Sequence, residues 1–240
     1  MCYRYVLQRE ALGALATQLG VSRTPDWRSR YNLAPGEAVP AVRQRAGAGG
    51  RSYEVVNLHW GLLPAWAQEA ATVPANARAE GLSGSPMFRE AFRRRRCVIP
   101  ASGFYEWRAQ GGRRQPYLFF LGDGATLCFA GLWEPGREPE GGRAAGSCAI
   151  ITTAPNELVR PIHDRMPAIL APEEIERWLD PRVTEAAELA PFLRPFAAGS
   201  MTAVRVTTRV NSTRFDDPAC IEPAPDVDNG DDSPQLSLGL

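Results

Sequence analysis

Leu127-Cys-Phe-Ala-Gly-Leu-Trp133 is the clearest buried segment of the chain and points to its fold class. It is apolar almost throughout and closed off by Gly122-Asp123-Gly124 on one side and Pro135-Gly136 on the other. A run this short between turn residues reads as a buried β-strand rather than a helix. The same pattern repeats outward in both directions. Strands are expected at Val39–Gln44, Tyr53–Trp60, Arg96–Pro100, Tyr117–Leu121, Leu127–Trp133, Ser147–Thr153 and Met201–Val206. Helices are expected at Glu10–Leu19, Met87–Arg95, Asn156–Val159 and Pro172–Leu179, the last opening on Pro172 and the acids Glu173 and Glu174, which suit a first turn. Pro35-Gly36 and Gly111-Gly112 are further turns, and residues 135–146 read as a flexible surface loop. Many short strands and few helices predict an α+β class: a single β-rich domain with a curled sheet or β-barrel-like core and flanking helices, over residues 1–222.

The composition fits that picture. The 240 residues are 44% hydrophobic and 22% charged, which excludes wholesale disorder and leaves enough apolar surface for a sizeable core. No run of 18 apolar residues exists to cross a membrane, and Met-Cys-Tyr-Arg-Tyr at the start has no secretory apolar region, so a cytoplasmic protein is expected. The net charge of zero hides an asymmetry. Residues 1–214 hold all 27 basic groups against 20 acids, and seven acids with no base follow Arg214. A basic body points to an anionic partner or simply to a solvated surface; the acidic, Pro-containing 223–240 tail reads as disordered.

All 27 basic residues are Arg, so no side-chain amine is present to form a Schiff base. The five Cys form no CxxC pair, and with only His59 and His163 no zinc-type cluster can be read; no metal or cofactor is expected. Cys97, Cys128 and Cys148 lie in apolar runs and read as reduced core residues, and His59 as structural. Cys2 differs. Met1 is removed when residue 2 is small, which would expose a terminal 1,2-aminothiol. At pH 7.4 about a quarter of an α-amine is neutral, against about 0.1% of a lysine. Such a terminus attacks an aldehyde to give an imine, and the thiol can close a five-membered ring.

Further candidates are spread along the chain. Asn76-Ala-Arg78-Ala-Glu80 offers a donor–acceptor amide and an anion fork. Glu106 sits in Phe-Tyr-Glu-Trp107, where an apolar wall would raise a carboxyl pKa toward neutrality. His163 is flanked by Asp164 and Arg165. Arg93–Arg96, with Arg4, Arg78, Arg165, Arg205, Arg209 and Arg214, suits a basic groove as well as it suits a solvated face, and Trp60 and Trp66 offer stacking surfaces.

Met-Cys-x-Arg4, Tyr31-Asn-x-Ala-Pro-Gly36, Trp60-Gly-Leu-Leu-Pro-x-Trp66, Asn76-Ala-Arg-x-Glu80, Arg95-Arg-Cys-x-Ile-Pro-Ala-x-Gly-Phe-Tyr-Glu-Trp107, Phe129-Ala-Gly-Leu-Trp133, Ile151-Thr-Thr-x-x-Asn156, Ile162-His-Asp-Arg-Met-Pro167, Val210-Asn211 and Asp217-Pro occur in that order. Together they resemble the SOS-response-associated peptidase (SRAP) family over residues 1 to about 223. The resemblance implies binding of abasic sites in single-stranded DNA and covalent capture of the ring-opened sugar as a thiazolidine, with abasic-site lyase activity as a further possibility of the same chemistry. It implies Cys2 as nucleophile, Asn76 near the adduct, Glu106 moving protons, and His163 assisting imine chemistry and reversal. Arg4, Arg78 and Arg165 match phosphate-contacting positions, and Trp66 a loop packed on bases. Tyr3 departs from the family, which usually has Gly there, and is expected to crowd the nucleophile.

Two other readings stay open at this point: a thiol peptidase built on Cys2, His163 and Glu106, and a non-covalent single-stranded DNA module using Arg and Trp alone. A monomer is expected. Gln235-Leu-Ser-Leu-Gly-Leu240 looks like a bacterial sliding-clamp peptide without its aromatic anchor.

Overall fold

A closed ring of strands organises the molecule. In a computed structural model describing residues 2–45, 51–67, 73–136 and 145–225, the strands are β1 (Tyr5–Leu7), β2 (Arg30–Leu33), β3 (Ala38–Gln44), β4 (Tyr53–Trp60), β5 (Asn76–Arg78), β6 (Arg96–Ala101), β7 (Gly103–Gln110), β8 (Arg113–Leu121), β9 (Leu127–Pro135), β10 (Gly146–Thr153), β11 (Met166–Pro167) and β12 (Met201–Arg205). The helices are α1 (Arg9–Gln18), α2 (Arg89–Arg94), α3 (Ile175–Leu179) and α4 (Ala186–Leu189). β9 pairs with β6 on one edge and with β10 on the other. β10 runs parallel to β4, β4 pairs with β3, and β3 meets β6 at Val42 and Val98. The path returns to its start, giving the barrel-like core expected from the strand pattern. A second sheet, in the order β12-β8-β7-β1-β2, packs against it.

Aromatic residues join the two sheets. Tyr5 of β1 makes edge contacts with Trp60 of β4 at 5.2 Å and Phe129 of β9 at 5.9 Å, and Phe104 of β7 stacks on Phe119 of β8 at 5.0 Å. All five are fully buried, and each such side chain contributes about 1.5–3 kcal/mol of transfer free energy. Gly131 is needed where β9 passes β6: a Cβ there would lie 2.8 Å from the Cys97 sulfur. Cys97, Cys128 and Cys148 are buried free thiols, as their apolar settings implied.

Strands with their own apolar run follow the sequence closely; β4 coincides with the expected range. The helix expected at Asn156–Val159 is instead a series of turns. The Asn156 side chain accepts from the Val159 N–H at 2.9 Å and so closes one turn, and Pro161, which has no N–H, prevents its continuation. The 172–179 helix divides into a 3₁₀ turn (Pro172–Glu174) and α3. Residues 137–144 of the expected loop and 226–240 of the expected tail lie outside the described residues. Among the described residues no helix is long and apolar enough to cross a membrane.

The arginine run is not a continuous track. Arg96 is buried and donates to the carbonyls of Phe92, Arg93, Trp178 and Asp180 at 2.5–2.8 Å, capping the C-terminal ends of α2 and α3. Arg95 pairs with Glu134 at 2.7 Å. Only Arg93 and Arg94 face solvent.

Candidate active site

One edge of β10 is shared by two strands, and this sharing builds the site. β4 runs beside Ser147 and Cys148; β5 takes over beside Ile150, Ile151 and Thr152. Between them the chain leaves the barrel at Gly61 and rejoins it at Ala75. Gly61 takes φ +151°, a conformation that favours glycine, at the point of departure. The neck is stapled by Trp60 Nε1–H to the Ala75 carbonyl at 2.9 Å and by the Leu63 N–H to Ser147 Oγ at 2.9 Å. Trp66 rides on this excursion with 67% of its surface exposed.

On β5, Ala77 points into the core while Asn76 and Arg78 point outward together. The Asn76 Nδ2 group donates to the Cys2 carbonyl at 2.9 Å, and among the described residues its buried Oδ1 has no hydrogen-bond partner. Cys2 is fully buried, with its thiol 3.9 Å from the Arg4 carbonyl. Burial pushes the thiol pKa up, and the nearby Glu106 charge pushes it further.

Glu106 comes from β7, opposite Tyr117 of β8, and is 2% exposed. Burial raises its pKa from 4.5 to about 7. His163 arrives from the turns after β10. Its Nδ1 accepts the Arg165 N–H at 3.0 Å, which places the proton of the neutral ring on Nε2, 3.7 Å from Glu106 Oε2. Asp164 Oδ1 also lies 3.0 Å from Nδ1, a contact that an ionised ring would use. Burial lowers the His163 pKa, so the neutral ring and the backbone bond describe it better.

A cavity of about 530 Å³ opens over these groups, lined by Tyr3, Arg4, Arg78, Glu106, His163 and Arg165 among others. Two of its arginines are tied into the fold. Arg4 donates to Asn32 Oδ1 at 2.8 Å and to the Val210 carbonyl at 2.9 Å. Arg165 grips both oxygens of Glu80 at 2.6 and 3.0 Å and the Thr152 carbonyl at 2.5 Å. Arg78 is exposed. Tyr3, 42% exposed, lines the cavity.

Sequence reasoning missed four parts of the site. Glu80 was read only as the end of a motif, yet it holds Arg165. Trp107, Asn211 and Arg114 form one wall, with Trp107 Nε1–H donating to Asn211 Oδ1 at 2.6 Å and Asn211 Nδ2 donating to the Arg114 carbonyl at 3.2 Å. No local pattern signals Arg114; only the β7–β8 register brings it there.

Comparison with known proteins gives a consistent result. The model of the SOS response associated peptidase (SRAP) family matches residues 1–213. Abasic site processing protein YoqW of Bacillus subtilis is 36% identical over 228 residues, covering 92% of this chain and 99% of the relative. Abasic site processing protein HMCES of Gallus gallus is 30% identical, covering 85% and 70%. A crystal structure of a protein from Bacteroides thetaiotaomicron superposes with a TM-score of 0.77 at 28% identity, covering 93% of this chain and all of the other. By family model, relatives and fold alike, this chain belongs to the SRAP family.

Proposed function

We propose that the protein acts on abasic sites in single-stranded DNA and forms a covalent thiazolidine crosslink through Cys2 once Met1 is removed. The observation that carries this reading is the setting of Cys2: it is buried next to the arginine-lined cavity that Tyr3 and Arg4 help to line, its carbonyl held by Asn76, within the electrostatic reach of Glu106, a cavity-lining carboxyl whose pKa lies near neutrality. The relatives named as abasic site processing proteins support the lesion as target.

The chemistry follows in balanced steps. The neutral α-amine of Cys2 adds to the ring-opened sugar aldehyde, giving a carbinolamine. Glu106, with a pKa of about 7, protonates the hydroxyl as it leaves as water and an imine forms. The Cys2 sulfur then adds to the imine carbon while its proton passes to nitrogen, closing the ring with one water lost overall. His163, neutral and bearing its proton on Nε2, relays protons to Glu106 in this step and in reversal. Asn76 positions the residue, and its Oδ1 accepts from the amine. Arg4, Arg78 and Arg165 face the phosphates, and Trp66 packs on a base. Lyase activity would arise from the same imine.

The peptidase reading fits less well. It needs the thiol as the first nucleophile, and burial with a neighbouring carboxylate opposes thiolate formation. In the crosslinking reading the amine attacks first and the thiol meets an already activated carbon.

The test is a denaturing gel of mature protein with single-stranded DNA carrying one abasic site. A one-to-one adduct is expected that Cys2→Ala abolishes, with at most a labile imine for Cys2→Ser. Retention of Met1 should block capture; undiminished trapping with Met1 in place would overturn the mechanism. We place the boundary of the functional domain near residue 222 and read 235–240 as a clamp-docking peptide; no binding of a 230–240 peptide to the clamp at high micromolar removes the latter.

A further inference from the structure

The β7–β8 hairpin carries a group of cations that the reaction above does not use. In its register Arg108 lies opposite Gln115, Ala109 opposite Arg114, and Gln110 opposite Arg113. Side chains alternate along a strand and paired residues share a face. Arg108 and Arg113 therefore continue the face that begins at Glu106, and Arg114 shares the other face with Trp107. The arm from Glu106 to Gln110 is about 13 Å long.

All three arginines are exposed. Among the described residues none of them forms an ion pair or donates a side-chain hydrogen bond. Exposed Arg51, Arg177, Arg182, Arg194 and Arg209 each have a carboxylate partner, whereas exposed Arg78, Arg93 and Arg94 form no ion pair among the described residues either; what sets the hairpin arginines apart is that they extend from the cavity wall. The base of the arm is fixed. Trp107 and Asn211 bind it to the cavity wall, and Gln115 Nε2 donates to the Val206 carbonyl at 2.9 Å. Gly111 and Gly112, at φ +55° and +75°, make the tip tight. The Arg114 charge reaches Glu106 and His163, so the cationic surface is continuous with the site.

Cations without counter-ions, spread along a fixed arm that starts at a cavity read as a DNA site, match a polyanion better than a small anion. We propose that the β7–β8 hairpin holds the phosphates of the single strand flanking the lesion on one side, through Arg108, Arg113 and Arg114. This rests on the reading of the cavity as a DNA site.

The test uses Arg108→Gln with Arg113→Gln in the full chain and measures binding to single-stranded oligonucleotides, with and without an abasic site, across a salt series. The log–log salt slope should fall by about 1.4, from about 0.7 per lost single-strand contact, and half-saturating DNA should rise about tenfold at low salt. Lysine at both positions should restore the slope. Trimming the DNA on one side of the lesion should make wild type and variant coincide; trimming the other side should leave their difference intact. An unchanged slope, or a difference that survives trimming of both flanks, overturns the arm. Capture by wild type with no slope change sinks the arm alone. The slope change without any covalent adduct leaves the arm standing and sinks the crosslinking reading.

Discussion

Glu106 Oε2 and His163 Nε2, from a strand of one sheet and a turn beside the other, stand 3.7 Å apart. Their burial acts in opposite senses on the two groups, raising the carboxyl and lowering the imidazole, so that near neutral pH the carboxyl is poised between its two forms and the neutral ring is favoured. The pair can exchange a proton with a substrate without first creating an isolated buried charge.

That coupling makes pH a direct probe. The rate of capture should show an inflection near pH 7 that Glu106→Gln removes. Stability should follow the same group. Because the folded pKa is above the unfolded value of 4.5, the contribution of Glu106 to stability is complete below pH 4.5 and is lost as pH rises through about 7. From pH 4.5 to 8, urea unfolding should shift in favour of Glu106→Gln by up to about 3 kcal/mol.

Asn76→Ala removes the bond to the Cys2 carbonyl. The adduct should form about tenfold more slowly, with a stability loss of about 1 kcal/mol. Asn76→Asp should be worse, since a carboxylate would face the carbonyl. Single-turnover gels and thermal melting separate the two effects.

Glu80 holds Arg165, the arginine proposed to meet a DNA phosphate. Its carboxyl pKa is held below the usual value by hydrogen bonding to that guanidinium. Glu80→Gln should free Arg165 for a phosphate, strengthening single-strand binding several-fold and steepening the salt slope by about 0.7. Weaker binding would mean that the carboxylate is needed to orient Arg165.

Arg96→Lys tests the other use of arginine. A lysine cannot serve four carbonyls from α2 and α3 at once, and the loss of buried bonds to a charged group should lower stability by about 2–3 kcal/mol. DNA affinity of the folded fraction should not change. Arg93→Gln and Arg94→Gln should leave the unfolding midpoint within about 0.5 kcal/mol of wild type.

Elements that carry their own apolar run were legible from the sequence, as Tyr53–Trp60 and Leu127–Trp133 show. Five strands, β1, β2, β5, β7 and β11, were not legible; β7 mixes charged residues and a glycine with its aromatics and is fixed along its length by β8, and the shorter ones depend on their partners. Asn76-Ala-Arg78 has no strand pattern of its own and is extended because β10 offers an open edge beyond β4. Met166-Pro167 is two residues long and owes its state to Thr152 and Thr153. The ordered motifs indicated which residues belong together: Glu106 and His163 line one cavity, and Asn76 holds the carbonyl of buried Cys2. They could not show that Arg4 leans on Asn32 or that Glu80 restrains Arg165. Those links join positions 28 and 85 residues apart, and nothing local encodes them.

Chain termini normally lie on the outside of a domain, but here residue 2 is fully buried and anchored through its carbonyl. Under the proposed function, an extension upstream of it ties up the amine that has to react. A purification handle or fluorescent fusion joined ahead of Cys2 would then silence capture while leaving the fold intact, which makes the position of a tag a probe of the chemistry.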